Sequence, residues 1–173
     1  MKNKKKITIL SLLVMSIFSS CNNSEYVYNE GVSARYYELS TQFEKCYEEL
    51  LQEKYQTKFE YNNDEFSNFN PSAVAARNLK KNAAYLKGVV NLLKPSKKAQ
   101  SFHNKILEYF DMVGVDFADK LQSLADLSCD CPEQKEAIVL ALQDLYSRIS
   151  KTEDACLDEQ KKYLKSVGLP VPE

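Results

Sequence analysis

From residue 33 to residue 59, Tyr36, Leu39, Phe43, Cys46, Tyr47, Leu50, Leu51, Tyr55 and Phe59 recur at steps of three and four, while Glu38, Glu44, Lys45, Glu48, Glu49 and Lys54 fall between them. Such spacing gathers apolar groups onto one side only if the backbone is helical, so the pattern predicts a first amphipathic helix, capped by Ser33. A second runs from 70 to 93 with Val74, Leu79, Ala83, Leu86, Val90 and Leu93 on one face; Asn70 suits its cap and Pro71 its first turn. A third follows Lys94-Pro95-Ser96 and carries Phe102, Ile106, Tyr109, Phe110, Val113, Phe117, Leu121 and Leu124. The fourth opens at Pro132, carries Ile138, Ala141, Leu142, Leu145, Ile149, Cys156, Tyr163 and Val167, and should stop at Gly168 with Pro170 beyond. Every proline begins or follows a stripe and none interrupts one, so breakers and periodicity agree. Short second and third connections predict an all-α, antiparallel up-down four-helix bundle over residues 33–169, with a longer first connection and a tail at 170–173. Gly88 and Gly114 fall inside helices, where close approach of a neighbour is the expected reason.

Ahead of the stripes the pattern changes. Lys2, Lys4, Lys5 and Lys6 form a basic start, residues 7–18 are apolar, and Ser19-Ser20 precede Cys21. A twelve-residue apolar run is too short to span a bilayer. The arrangement resembles the signal segment of bacterial lipoprotein precursors, although Phe18 stands where that family usually has Leu. The resemblance covers these 21 residues. It implies that Cys21 takes a diacylglyceryl group, that residues 1–20 are removed, and that residues 21–32 are the lipidated Cys and a short polar tether. Several acyl chains anchor a protein stably where one does not. The implied place is the bacterial cell envelope. Asn22, where an Asp would mark inner-membrane retention, inclines the expectation to the outer membrane, with the periplasmic or surface face left open.

Removing 20 residues and four lysines leaves 19 basic and 24 acidic side chains, a net charge of −5. A mildly acidic domain is expected to be a poor ligand for nucleic acid and for anionic lipid. Four cysteines remain, and an exported protein can keep them as disulfides. Cys131 and Cys156 share one helix and lie too far apart to bond. Cys46 and Cys156 lie on neighbouring helices, and counting residues predicts a bridge between them, leaving Cys129 and Cys131 as a pair on the third turn. A pairing of Cys46 with Cys129 or Cys131 requires the first helix to sit higher. The Cys129/Cys131 pair is expected to be a structural staple, with thiol redox or half of a soft-metal site as the alternative.

Four glycines, no tryptophan and one histidine leave little material for phosphate loops, His-rich metal cages or haem. His103, the sole imidazole, has no sequence-adjacent partner that makes a triad, and is expected on the surface. No cofactor, metal or catalytic activity is therefore expected. Nineteen Tyr and Phe residues are plentiful. Most belong to the stripes, but Tyr61, Phe66 and Phe69 lie in the first connection among Asn and acidic residues, a composition suited to anchoring a protein partner. The expectation is a lipid-anchored helical interaction module, accessory or inhibitor-like. The alternatives are a carrier of an apolar ligand in the bundle core and a thiol-redox protein using Cys129 and Cys131.

Overall fold

A computed structural model of the chain describes residues 4–52, 70–127 and 132–171, with side chains from residue 23 onward. All described regular structure is helical: α1 (Lys4–Leu51), α2 (Pro71–Leu92), α3 (Gln100–Asp111), a π-helical segment (Met112–Phe117), α4 (Ala118–Ala125) and α5 (Pro132–Val167). The α3, π and α4 segments follow one another without a break and form one rod, so four rods contact one another.

Neighbouring rods run in opposite directions, as cross-contacts show. Gln42 faces Asn82 on α2 and Glu44 faces Tyr146 on α5, while nearer the start of α1 Glu25 faces Tyr163. Lys87 pairs with Asp111 and Lys80 with Asp119 across α2 and the rod. These exposed pairs fix register more than they stabilise. Between the rods, Leu39, Phe43, Leu86, Ile106, Phe110, Phe117, Leu121, Leu142 and Ile149 form a continuous buried core. The described residues of the stripes read from sequence therefore do face inward, with Val74 and Leu51 as exposed exceptions, while Tyr55 and Phe59 lie outside the described residues.

The helix ends follow local chemistry. Asn70 accepts the Ala73 amide at 3.2 Å and donates to the Ala125 carbonyl, so one side chain caps the start of α2 and the end of α4. At the end of α5, Gly168 has φ +72, the Gly168 amide reaches Lys165 O and the Leu169 amide reaches Leu164 O. This is a Schellman turn, and glycine takes the left-handed backbone without penalty.

Three expectations change. Residues 23–32, read as a polar tether, are helical, with Tyr28, Asn29 and Val32 buried, and Ser33 lies inside α1 with its Oγ accepting from Gln160 rather than capping. Continuation of the stripe upstream, Tyr28 to Val32 to Tyr36, is the cause. The third helix contains a wider turn, where the Ala118 amide reaches Val113 O five residues back, and this keeps Val113 and Phe117 inward on either side of Gly114. Finally, a Cβ at Gly114 would collide with Ala83, as expected, but one at Gly88 would meet nothing within 4 Å. Gly88→Ala should therefore stabilise the fold by about 0.5–1 kcal/mol through reduced chain entropy and better helix propensity. Urea unfolding followed by far-UV circular dichroism measures this, and a destabilised variant would mean that α2 has a neighbour at that position.

Candidate functional site

The polar groups inside the bundle form two clusters. The first lies where the early turns of α1 meet α3 and α5. His103, expected on the surface, is only 5% exposed. The first turn of α3 places it opposite Tyr28, whose hydroxyl is 2.9 Å from Nδ1. Burial lowers the imidazole pKa, so the neutral ring is favoured; with the proton on Nε2, Nδ1 accepts from the Tyr28 hydroxyl. Tyr163 of α5 packs edge-on to Tyr28 and donates to Glu25 Oε2 at 2.7 Å, while Ser96 Oγ reaches the same carboxylate at 3.3 Å. One turn inward, Gln160 donates to both Asn29 Oδ1 and Ser33 Oγ. The sequence signal for burying His103 was its place beside Phe102, whose ring stacks on Tyr163.

The second cluster lies mid-bundle between α1, α3 and α5. Ser40 Oγ donates to Glu153 at 2.9 Å, and Thr152 Oγ1 donates to Met112 Sδ at 3.3 Å. Tyr36 packs edge-on to the fully buried Tyr109, whose hydroxyl lies close to Ser40 and Glu153 but makes no well-formed hydrogen bond among the described residues. Burial pushes that phenol up, reinforced by the nearby Glu153 charge, so it stays protonated. Among the described residues no group of three or more His, Cys, Asp or Glu side chains is arranged to hold a metal ion.

The expected Cys46–Cys156 bridge is not formed; both side chains are buried. Register explains the error. The pairs Ser40–Glu153 and Ser33–Gln160 set Cys156 level with Tyr37 on α1, about nine residues before Cys46, an axial offset of about 13.5 Å at 1.5 Å per residue. A disulfide needs Cα atoms within about 7 Å. Counting from a helix that starts at Ser33 had placed the two closer than a helix already running at residue 23 allows. Cys156 Sγ instead donates to Lys105 O at 3.5 Å, and burial pushes its thiol up to about 12. In the folded protein Cys156 should stay unmodified by iodoacetamide at pH 8, and become reactive on unfolding in urea; mass spectrometry of the alkylated chain checks this. Rapid native labelling of Cys156 would contradict its burial.

The remaining sequence candidates, the Cys21 side chain, Tyr61, Phe66, Phe69, Cys129 and Cys131, lie outside the described residues. Their attachment points are described. Gln52 and Asn70, which flank the first connection, and Leu127 and Pro132, which flank the Cys129/Cys131 turn, all lie at the end of the bundle opposite Asn23. From Asn23 to Leu51, α1 rises about 42 Å. Compared with known protein families, with characterised proteins and with solved structures, the chain matches none. No described helix is long and apolar enough to cross a membrane.

Proposed function

We propose that the chain is a lipid-anchored envelope protein, tethered through Cys21 in the outer membrane, whose helical bundle is a post that carries a protein-binding surface on its far end. One observation carries this reading: Asn23, near the anchor, and the ends of the aromatic connection are separated by the rise of α1 from Asn23 to Leu51, about 42 Å. A post of this kind sets Tyr61, Phe66 and Phe69 clear of the lipid surface, where rigid aromatic rings can seat in a partner's pockets. The Cys129/Cys131 turn hangs from the same end and would act there as a staple. A carrier role draws no support from the described interior, where Phe43 packs on Phe117 and Tyr146, and Phe102 on Tyr163.

The test is photo-cross-linking in the native envelope, with the cross-linker placed at position 61 or 66 and, as a control, at the exposed Tyr85 on α2. One dominant protein adduct from 61 or 66, and none from 85, is expected. Retention of every interaction and phenotype after deletion of residues 60–69 would sink the reading.

A further inference from the structure

The charge of the bundle is not spread evenly along its axis. The end from which α1 runs back toward Cys21 is built of residues 23–29, 92–98 and 160–171. These three stretches hold six lysines, Lys94, Lys97, Lys98, Lys161, Lys162 and Lys165, all exposed, and one acid, Glu25. The Glu25 carboxylate accepts from Tyr163 and Ser96. The next turn inward adds Glu30, Asp158 and Glu159, the last paired with Lys162. At the far end, residues 46–52, 70–75, 122–127 and 132–138 hold five acids, Glu48, Glu49, Asp126, Glu133 and Glu136, against Lys135 alone. At the far end two helix starts meet two helix ends and the backbone dipoles largely cancel, while at the basic end α2 and α5 finish, α3 begins and α1 runs on, so the positive charge there comes from the lysine side chains. A net charge of −5 for the mature chain hides a basic end and an acidic end.

Apolar groups accompany the lysines. Leu92 is 82% exposed, Val27 61% and Tyr26 51%. Leu92 closes α2 just ahead of Lys94, and Tyr26 and Val27 lie one to two turns past Cys21. Exposed lysines beside an aromatic ring and aliphatic side chains match a headgroup layer, where ammonium groups meet phosphates and apolar groups enter the acyl boundary.

We propose that this basic end docks on an anionic lipid headgroup surface, with Lys94, Lys97 and Lys165 against headgroup phosphates and Tyr26, Val27 and Leu92 at the interface. The domain then stands upright, its acidic end repelled from the same surface. The inference deepens the anchored-post reading and rests on it for the side of the bundle that meets the membrane. It also revises the expectation that an acidic domain avoids anionic lipid, since only the end facing the lipid decides the interaction.

The test uses the full chain matured in a Gram-negative host and reconstituted into phosphatidylcholine vesicles with or without phosphatidylglycerol, at low and at near-molar salt. Hydrogen exchange of residues 23–29, 92–98 and 160–171 should slow only on phosphatidylglycerol at low salt. The variant Lys94→Gln/Lys97→Gln/Lys165→Gln should lose this protection while staying vesicle-bound; Lys98, which donates to Ser166 O, is left in place to preserve the end of α5. Equal exchange on both vesicles, or unchanged protection in the variant, overturns the proposal. If the matured chain does not enter vesicles at all, the anchor reading fails by itself. Flotation of that same unanchored chain with phosphatidylglycerol vesicles then decides the basic end. Binding about fivefold weaker per lysine removed supports it, and absence of binding overturns it.

Discussion

Gly114→Ala is expected to destabilise the folded chain by about 1–3 kcal/mol, the usual cost of forcing an extra methyl group into a filled interior. The new Cβ would land inside the van der Waals envelope of the Ala83 methyl group, with the Ala83 Cα 3.7 Å away. Ala83 is itself on a buried helix face, so neither group can swing clear. The substitution would be favourable on helix propensity alone, so a net loss isolates the steric contribution. Ala83→Gly removes the obstructing methyl group, and the double variant should be less destabilised than the two single variants added together. Urea unfolding of the four proteins completes the cycle. Additive losses would show that α2 and the π-helical turn do not meet at this point. The contrast with Gly88→Ala makes the comparison sharp: the same chemical change, in two helices of one bundle, is expected to have opposite signs.

Those two glycines also show how far the sequence could be read. Both interrupt good helical stripes, and both suggest a close neighbour, but only three-dimensional register brings Ala83 over Gly114 and leaves Gly88 facing open space. The stripes themselves were legible because burial is periodic. Phe102, Ile106, Tyr109, Phe110, Val113, Phe117, Leu121 and Leu124 are all buried. The ends were legible because Asn70, Pro71, Pro132 and Gly168 act through local backbone chemistry. What failed depended on the start of α1. Asn22 to Gly31 is polar in composition, and composition outweighed the two apolar positions, Tyr28 and Val32, that continue the stripe. From that one boundary came the misplaced cap at Ser33 and the bridge drawn between Cys46 and Cys156. It also hid the site around His103, because the partner that buries it, Tyr28, lay in the segment taken for a tether. The six lysines were visible singly, yet they belong to the α2–α3 connection and the last turns of α5, and only the fold brings those stretches together.

The burial of His103 predicts that the fold loses stability as pH falls below about 6.5. In the unfolded chain the imidazole gains its proton near its ordinary value of 6.5, whereas burial lowers the pKa in the folded state. Between those two values the unfolded state binds more protons, so stability drops with falling pH, by at most about 1.4 kcal/mol per pH unit from one group. The stabilising contribution is complete above the unfolded value, and the loss levels off once the pH passes below the folded value. Tyr28 of α1 faces the ring, Tyr163 of α5 packs on Tyr28, and Glu25 of α1 and Phe102 of α3 contact Tyr163 in turn. Glu44 acts with the opposite sign, since burial raises its pKa and its folded form takes up a proton first, but a carboxyl group titrates lower. Urea unfolding between pH 7.5 and 5.5 therefore reads mainly the imidazole. His103→Phe should be less stable at pH 7.5, because Tyr28 loses its acceptor, and its stability should vary less with pH across this range. Tyr28→Phe keeps the buried imidazole and should keep the slope. A wild-type chain whose stability does not change from pH 7.5 to 5.5 would mean that water reaches His103. The turns of α1 over residues 23–29 could not then be seated on α3, and the basic end that they help to build would not exist as one surface.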